Sequence, residues 1–315
     1  MKSASFGKIR AKTFLAVLCC ALGVGGTGYY TCQKHLAVVE ARKAEQRKLE
    51  QRRNAWLKLE REIKAQAVSN KVSAGIVVRD LTTGWETGVS RGRRIPAASL
   101  SKIPLMLACY KAVEEGKMRL EDIVVLKGRQ KTGGSGILKN ASAGTKITIE
   151  RLIELMMTHS DNTAANILME RLGAGYINVS FRGFGLAETK LRRKMMDFTL
   201  RRKGIENYTT AGEMAELLDG IYHGRFLDRG ISQRCLCLLK NQKYNDRLPA
   251  RLPTSVVVAH KTGLERKVCH DVGILFTSKG DFIVCVLTQG AQSSKEAKRF
   301  IANVAFLVYR YAESL

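Results

Sequence analysis

The sequence lacks the cysteine and histidine patterns that build metal sites and disulfide frameworks. It contains no Cys-x-x-Cys, His-x-His or His-x-x-x-His spacing among its 315 residues. Five of the eight cysteines lie beyond residue 100, an odd number that cannot form a complete set of pairs. The sequence therefore argues against a catalytic metal and indicates no cofactor. It assigns most of these cysteines to the core as small apolar side chains.

Acidic residues are scarce relative to basic ones. The chain has 28 aspartates and glutamates against 53 lysines and arginines, which gives a formal net charge of +25. A charge of this sign and size attracts polyanions: nucleic acid, anionic lipid headgroups or anionic cell-wall polymers. With 45% hydrophobic residues, the chain is long enough to fold around a substantial core. Its location decides which polyanion it meets.

The N-terminus has the pattern of an export signal. Residues 1–12 carry four basic side chains and no acid, and the apolar segment 13–30 follows. This segment reaches the lower length limit of a membrane-spanning helix, and its basic flank predicts the N-terminus inside and the rest outside. No good small-x-small cleavage site follows it. We therefore predict an uncleaved signal anchor over a cleaved signal peptide, and export argues against nucleic acid as the partner.

Alternating charges without proline or glycine fill residues 34–68. A sparse apolar stripe runs through them, and the pattern predicts a charged helical stalk between the anchor and the folded domain. A helix that binds a partner or lies on lipid is the alternative to a solvated spacer. The folded domain is predicted over residues 69–315.

Strand patterns occupy both ends of this domain, and helical patterns occupy its middle. Residues 73–89 predict a strand, a turn and a returning strand, and residues 255–288 predict three further apolar strands. Helical periodicity dominates residues 100–250, and residues 293–311 predict a closing amphipathic helix. The prediction is an α/β fold of the α+β type. One antiparallel five-stranded sheet, built from both ends of the domain, packs on a mostly helical subdomain.

Ser99 and Lys102 lie three residues apart at the predicted start of a helix, before Pro104 and an apolar run. Residues with this spacing share one helix face, so the hydroxyl and the amine can meet. The positive end of the helix favours an alkoxide at Ser99 and disfavours a proton on Lys102, which activates a nucleophile without histidine. The alternative is a capping serine followed by a surface lysine, and the same spacing occurs at Ser5 and Lys8 without such a context.

A second polar group, Ser160-Asp161-Asn162, lies between two predicted helices. Serine, aspartate and asparagine are ordinary helix caps, which is one interpretation. In the other, the Ser160 hydroxyl and the Asn162 amide project from a loop into a cleft. There the hydroxyl relays a proton to a leaving nitrogen, and the amide holds a substrate carbonyl.

The third group, Lys261-Thr262-Gly263, ends an apolar strand. A strand end can set the Lys261 ammonium and the Thr262 hydroxyl against a substrate carboxylate, while Gly263 lets an extended substrate approach the sheet edge. The same tripeptide at residues 131–133 follows no strand and is set aside.

These three groups, in this order and each on a fitting element, resemble the S-x-x-K, S-D-N and K-T-G motifs of the penicillin-recognising serine enzymes. The resemblance is closest to the class A β-lactamases and covers roughly residues 70–312. It implies their fold and a serine hydrolase in which Ser99 is the acylated nucleophile. Lys102 would act as or assist its base, and Ser160 would pass a proton to the departing amine.

The same resemblance implies the substrate contacts. Lys261 and Thr262 would bind the carboxylate found on β-lactams and on peptidoglycan stem-peptide ends, with Gly263 beside them on the strand. The backbone N–H groups of Ser99 and Leu264 would form the oxyanion hole, where one donor is typically worth a few kcal/mol.

One loop departs from the family pattern. Class A enzymes resemble one another in an R-x-E-x-x-L-N loop whose glutamate activates the water that releases the acyl group. Here the corresponding stretch begins at Arg193, and an ungapped alignment places Met195 on the glutamate and Thr199 on the asparagine. Methionine cannot accept a proton, and Asp197 is the nearest carboxylate that could replace the glutamate if the loop is shifted. The alternative role of Asp197 is a charge partner for neighbouring arginines.

A second departure concerns the arginine that class A enzymes often carry beside K-T-G for the substrate carboxylate. The candidates here are Lys267 and His270, and neither offers the two-pronged guanidinium of arginine.

Three functions follow from the resemblance and its departures. The first is a class A β-lactamase that is acylated at Ser99, hydrolyses the β-lactam amide and uses Asp197 for release. The second is a β-lactamase-like acyl-transferase or carboxypeptidase-type hydrolase of cell-wall peptides, which β-lactams trap with slow or no turnover. The third is a non-catalytic basic protein that binds wall polymers or membrane lipids.

The resemblance also implies a location and partners. We expect a monomeric catalytic domain outside a bacterial cell membrane, held by a single anchor at residues 13–30 or secreted if that segment is cleaved. Its substrate is a β-lactam or a peptidoglycan stem-peptide-like amide. Anionic wall polymers or lipid headgroups are its further expected partners.

Overall fold

The computed structural model describes residues 26–69 and 72–315. The predicted basic segment 1–12 and most of the predicted anchor 13–30 lie outside these residues. Within them, no helix is both long enough and apolar enough to cross a membrane.

The first helix, α1, runs over Gly26–Ser69 and includes the segment predicted as a charged stalk. The chain divides between Leu57 and Lys58 into two compact units. Leu59 and Ile63, near the end of α1, are buried and belong to the second unit. That unit therefore begins before the predicted start of the domain, because the apolar face of the last turns of α1 is part of its core.

A five-stranded antiparallel sheet lies at the centre of the second unit. Its strands are β1 (Ser73–Asp80), β2 (Glu86–Val89), β7 (Val257–Glu265), β8 (Val268–Thr277) and β9 (Gly280–Gln289). Their order across the sheet is β2-β1-β9-β8-β7, and every neighbouring pair is antiparallel. Strands from the two ends of the unit thus lie side by side, which confirms the predicted sheet.

Two short ribbons lie outside this sheet. They pair β3 (Ile95–Pro96) with β6 (Tyr208–Thr209), and β4 (Ile123–Val125) with β5 (Lys146–Thr148). The first ribbon holds the chain immediately before Ser99 against the segment that follows the 193–206 loop.

Helices fill the chain between the two halves of the sheet. They are α2 (Lys102–Glu114), α3 (Ile149–Thr158), α4 (Asn162–Leu172), α5 (Ala174–Gly183), α6 (Phe198–Arg202), α7 (Ala211–His223) and α8 (Arg229–Lys240). The closing helix, α9 (Ser294–Glu313), was predicted, as were α2, α3, α4 and α7. The helices α5, α6 and α8 were not predicted, and α6, with five residues, is too short to show a periodic pattern.

The second helix, α2, is the buried axis of the helical region. Ten of its 13 residues are buried, as expected for a helix that is apolar on every face. A 3₁₀ turn, Ala98–Ser101, precedes it and carries the predicted nucleophile. Burial of α2 places Lys102, its first residue, in a water-poor environment.

The strand β7 differs from the sequence prediction in where it ends. The apolar run predicted an end at His260, but β7 continues to Glu265 and pairs with β8, which also begins earlier than predicted. Lys261, Thr262 and Gly263 therefore lie inside the strand and not at its end. Because β7 is the edge strand of the sheet, one side of this segment remains free of strand pairing.

Candidate active site

Ser99 lies in the 3₁₀ turn ahead of α2 and lines a cavity of about 750 Å³. The preceding residue, Ala98, has a φ of +44°, a left-handed conformation that is uncommon for alanine. The backbone N–H of Ala97 donates to the Asn207 carbonyl (2.7 Å), which fixes the turn from the other side. Such strain clusters at functional sites, where the surrounding structure holds it.

Lys102 is fully buried, and its amine contacts the Ser99 hydroxyl. Its Nζ lies 3.1 Å from Ser99 Oγ and 3.2 Å from Ser160 Oγ. It also donates to the Ser160 carbonyl (2.6 Å) and to Asn162 Oδ1 (2.8 Å). Burial lowers the Lys102 pKa to about 7, against the opposing charges of Asp161 and Glu265. A neutral amine has two N–H groups for the two carbonyl oxygens and one lone pair left for a hydroxyl proton.

Ser160 lies between α3 and α4 in a left-handed conformation, with a φ of +53°. Its hydroxyl is the acceptor for two amines, Lys102 Nζ at 3.2 Å and Lys261 Nζ at 3.0 Å. A continuous series of hydrogen-bond contacts therefore runs from Ser99 through Lys102 and Ser160 to Lys261. Protons can move along such a series without crossing open solvent.

Asn162 begins α4, and both ends of its amide are engaged. Its Oδ1 accepts from Lys102, and its Nδ2 donates to the Gly133 carbonyl (2.9 Å). The second N–H of that amide remains for the cavity, which Asn162 lines. This placement suits the predicted contact with a substrate carbonyl.

Asp161 was not predicted as a site residue, yet it fixes this part of the site. Its carboxylate accepts from the backbone N–H groups of Ile137 (2.7 Å), Leu138 (2.8 Å) and Ala164 (2.9 Å). It thus caps α4 and holds the residues that follow the glycine-rich tract 132–136. A side chain at Gly136 would overlap the Asp161 carboxylate, so the close approach requires glycine.

Lys261 and Thr262 lie next to each other on β7, and both are buried. Lys261 Nζ donates to Ser160 Oγ and to the Thr262 carbonyl, each at 3.0 Å. Burial, then the nearby Lys102 charge, holds the Lys261 pKa well below 10.5. Leu264 lies further along the same strand, is half exposed and lines the cavity.

Gly263 is the point at which β7 passes closest to the nucleophile turn. A methyl group there would lie 3.1 Å from the His270 ring and 3.4 Å from the Ala98 side chain. A larger residue would therefore push the strand away from the turn that carries Ser99. The sequence predicted the need for glycine but attributed it to the approach of substrate.

His270 does not occupy the predicted carboxylate-binding position. It is fully buried on β8, its Nδ1 accepts from the Thr288 N–H (3.1 Å), and its Nε2 donates to the Pro96 carbonyl (2.8 Å). Burial lowers its pKa to about 4, so the ring is neutral at pH 7. A neutral ring with both nitrogens occupied cannot bind a carboxylate. The other candidate, Lys267, is exposed on the turn between β7 and β8.

Asp197 does not have the geometry of a water-activating base. It is the N-cap of α6, and its Oδ1 accepts from the Leu200 N–H (3.0 Å). It is absent from the residues that line the cavity around Ser99. The structure thus favours a capping role, which replaces both predicted roles: the release base and the charge partner of neighbouring arginines.

Met195 lies in the cavity wall with its backbone fixed. Its N–H donates to Asn166 Oδ1 (2.8 Å), and its carbonyl accepts from Asn166 Nδ2 (3.1 Å). Met196 follows with a φ of +63° and also lines the cavity. The loop therefore presents thioether side chains to Ser99 where the family pattern has a carboxylate.

A charge network that the sequence did not predict closes this loop. The Arg193 side chain is only 2% exposed and reaches Glu206 (2.6 Å) and Glu265 (3.2 Å). Arg201 contacts the same two carboxylates, at 3.4 and 3.0 Å. Asn207 accepts from the Arg193 N–H (3.0 Å). The sequence does place opposite charges near both ends of the loop, which could have indicated ion pairs. Nothing in the sequence identified Glu265 as the common partner of Arg193 and Arg201.

Among the described residues, Glu265 is the one carboxylate that lines the cavity around Ser99, and it is shared between two arginines. In residues 26–69 and 72–315, no group of three or more histidine, cysteine or acidic side chains could hold a metal ion. The chemistry available at this site is therefore that of a hydroxyl nucleophile with amine and hydroxyl proton carriers, which defines a serine acyl-transfer site.

Known proteins are similar to this chain in fold and in sequence. A model of the β-lactamase enzyme family matches residues 58–312. The β-lactamase VEB-1 of Pseudomonas aeruginosa is 22% identical over 279 residues, covering 82% of this chain and 90% of that protein. The crystal structure of a β-lactamase from Sphaerobacter thermophilus has a TM-score of 0.76 at 27% identity and covers 82% of this chain and 98% of its own.

An acyl-enzyme complex of a PBP-A variant with penicillin G is also similar. Its TM-score is 0.74 at 27% identity, over 83% of this chain and 97% of its own. The chain described here belongs to the β-lactamase enzyme family and is a serine hydrolase. The predicted resemblance is confirmed.

Proposed function

We propose that β-lactams acylate Ser99 and that the acyl group is released slowly. The observation that carries this proposal is the contrast between the two halves of the site. Lys102 Nζ lies within hydrogen-bond distance of both Ser99 Oγ and Ser160 Oγ. On the release side, by contrast, Met195 occupies the cavity wall without a free carboxylate nearby.

Acylation begins with a proton transfer. The neutral Lys102 amine accepts the Ser99 hydroxyl proton while Oγ attacks the amide carbonyl carbon. The resulting oxyanion accepts hydrogen bonds from the backbone N–H groups of Ser99 and Leu264. The carbon–nitrogen bond then breaks, and the leaving nitrogen takes the Ser160 proton. Lys102 returns its proton to Ser160 Oγ across 3.2 Å, which restores both groups.

Substrate is oriented by its carboxylate. Lys261 and Thr262 are neighbours on β7, and a carboxylate bound by them would raise the fraction of Lys261 that is protonated. Burial, followed by the nearby Lys102 charge, lowers the Lys261 pKa, so substrate binding and protonation support each other. His270 takes no part in this step.

Release of the acyl group requires a water molecule and an acceptor for its proton. Asp197 caps α6, and Glu265 is held by two arginines. Lys102 is the remaining base, but its lone pair faces the Ser99 oxygen that now carries the acyl group. A positioned general base typically contributes about 10²- to 10⁴-fold to a proton transfer, so release without one is slow.

The comparisons support this proposal. VEB-1 is named as a β-lactamase, and the PBP-A variant is described as an acyl-enzyme complex with penicillin G. Both statements concern those proteins. Applied to this chain, they favour a covalent intermediate on a serine of the same fold.

The free edge of β7 favours a second substrate, an extended stem-peptide-like amide of the cell wall. Leu264 is exposed on that edge, so a peptide backbone can pair with the strand. In this proposal β-lactams trap an acyl-transferase or carboxypeptidase-type enzyme. Transfer to an amine acceptor, measured with a stem-peptide donor, distinguishes it from hydrolysis alone.

For the location, we propose an extracytoplasmic domain held at a bacterial membrane by residues 13–30. There the chain, with its formal net charge of +25, would bind anionic lipid headgroups or wall polymers. Protease added outside intact cells should degrade the domain. Full protection in intact cells but not in lysed ones would contradict this location.

The test of the proposed chemistry is intact mass spectrometry after mixing the protein with a chromogenic β-lactam. We expect one acyl adduct per chain, located on the peptide that contains Ser99, and none in Ser99→Ala. An adduct on another residue, or none at any β-lactam concentration, would overturn the proposal. Ser5→Ala, which removes the serine of the other Ser-x-x-Lys sequence, is the matched control and should acylate normally.

A further inference from the structure

The acyl side of the cavity carries two arginines, Arg202 and Arg266, that have no carboxylate partner among the described residues. We propose that they bind an anionic group on the acyl portion of the substrate. The preferred substrates are then amides that carry a carboxylate at each end. This inference rests on the proposed acylation of Ser99 and specifies the substrate class for that site.

The direction of the substrate follows from the order of residues along β7. The proposed carboxylate contacts lie at Lys261 and Thr262, and the oxyanion contact lies at Leu264. The acyl portion must then extend beyond Leu264, toward Glu265 and Arg266. At about 3.3 Å per strand residue, a group two residues past the carbonyl lies roughly 7 Å from it, within reach of an arginine side chain.

Arginine charges in the cavity wall differ in whether they are neutralised. Arg201 contacts Glu206 and Glu265, so its charge is compensated. Arg202, at the end of α6, is exposed and donates only to the Thr199 hydroxyl (3.3 Å). Arg266 is exposed directly after β7.

Both uncompensated guanidinium groups line the same cavity as Ser99. With Glu265 already shared between two arginines, this end of the cavity has a net positive charge.

The chemistry of these groups selects the ligand. Guanidinium groups bind carboxylates through two parallel hydrogen bonds, and a cleft with low-dielectric walls strengthens the field they produce. Met196 and Phe198 provide apolar wall between the arginines and Ser99. A fitting acyl group therefore has an apolar stem and a terminal carboxylate. A neutral or cationic end would leave both arginines unpaired or repelled.

A matched pair of penicillins tests the proposal. One has a linear dicarboxylic acyl side chain with a free terminal carboxylate, and the other is its methyl ester, so the two differ by one charge. Acylation rate constants are measured by intact mass for the wild-type protein, Arg202→Gln, Arg266→Gln and the double variant. Arg229→Gln, which removes an exposed arginine outside the cavity, is the control for net charge.

We expect the wild-type protein to react about tenfold faster with the acid than with the ester at low salt, from two partly exposed ion pairs. Each single variant should lose part of this preference, the double variant all of it, and Arg229→Gln none. High salt should reduce the wild-type preference because exposed pairs are screened.

Equal rates for acid and ester in the wild-type protein would overturn the inference, and so would a preference that survives in the double variant. Either result leaves the proposed function intact, since Ser99 is still acylated. Failure of both penicillins to acylate Ser99 would instead refute the proposed function, and the inference with it.

Discussion

At the scale of single residues, the proposed chemistry depends most on Lys102. The sequence predicted its meeting with Ser99 from spacing alone, and the two atoms lie 3.1 Å apart. It could not predict how far the Lys102 pKa falls, because that depends on burial of the whole of α2. Nor could spacing show that two carbonyl oxygens direct the amine so that its lone pair faces hydroxyls.

The first prediction concerns the pH dependence of acylation. Burial lowers the Lys102 pKa to about 7, and the base is active only when neutral. The second-order acylation rate constant should therefore rise about tenfold per pH unit below 7 and level off above it. Intact-mass kinetics from pH 5 to 9, with a β-lactam that does not titrate in this range, measure the profile.

A rate constant that does not change between pH 5 and 9 would contradict this role of Lys102. Lys102→Arg, which keeps the charge but has no accessible neutral form, should acylate about 10²- to 10⁴-fold more slowly at every pH.

His270 shows how a residue type can mislead. It was a candidate to replace the carboxylate-binding arginine that class A enzymes often carry beside K-T-G. The structure instead buries it between β8 and the chain before Ser99, where it joins Thr288 to Pro96. Sequence patterns identify which residues lie on a strand. They do not show which face of that strand another segment covers.

The second prediction follows from this burial. The His270 pKa is about 4 in the folded protein, below the ordinary histidine value of 6.5, so below pH 6.5 the unfolded chain binds the extra proton. The stability associated with neutral His270 is complete above pH 6.5 and is lost as pH falls toward 4. Between pH 7.5 and 5 the free energy of unfolding should drop by about 2 kcal/mol from this group.

Urea unfolding of the wild-type protein and of His270→Gln measures this effect. The variant is less stable, but its free energy of unfolding should fall about 2 kcal/mol less over the same pH range. Equal pH dependence in both proteins would show that His270 does not titrate as described.

At the scale of secondary structure elements, the sheet and the long helices were predictable because apolar periodicity determines them. The extension of β7 through Lys261, Thr262 and Gly263 was not, because polar and glycine residues resemble a strand end. Pairing with β8 overrides that preference. Nothing in the sequence indicated that hydrogen bonds from Ile137 and Leu138 to Asp161 hold the end of the glycine-rich tract against α4.

The third prediction concerns the loop that carries Met195. Arg193 and Glu206 form a buried ion pair at 2.6 Å, and the nearby segment 201–203 contains three trypsin sites. Glu206→Gln should raise the rate of tryptic cleavage at this segment about tenfold, because hydrogen bonds to charged groups stabilise by about 1.5–3 kcal/mol. Glu188→Gln, which removes an exposed pair with Arg94, is the matched control.

Limited proteolysis followed by mass spectrometry reads out both variants. If Glu206→Gln and Glu188→Gln are cleaved at the wild-type rate, the buried pair does not hold the loop closed.

At the scale of the whole molecule, strands from both ends of the second unit complete one sheet. That arrangement was predictable from the sequence, because strand patterns occur at both ends and helical patterns between them. The second unit begins at Lys58, and little in the sequence indicated this, because the apolar residues at the end of α1 are sparse. Only in the folded unit are Leu59 and Ile63 buried.

The fourth prediction compares two shortened chains. A variant that lacks residues 1–57 retains the complete second unit and should unfold cooperatively. Removal of residues 1–69 also deletes Leu59 and Ile63, and burying one such side chain stabilises by about 1.5–3 kcal/mol. The shorter variant should therefore be about 3–6 kcal/mol less stable in urea unfolding. Equal stability would place the end of α1 outside the folding unit.

The central claim is that Ser99 is acylated readily and that the acyl group is released slowly, because Met195 replaces a carboxylate. The lifetime of the acyl adduct tests this claim most directly. Intact mass is followed after excess β-lactam is removed from the wild-type protein, Met195→Glu and Met195→Gln. We predict a long-lived adduct in the wild-type protein and in Met195→Gln. In Met195→Glu the lifetime of the adduct should be shorter by about a hundredfold. Rapid release by the wild-type protein, or equal lifetimes in Met195→Glu and Met195→Gln, would contradict the claim.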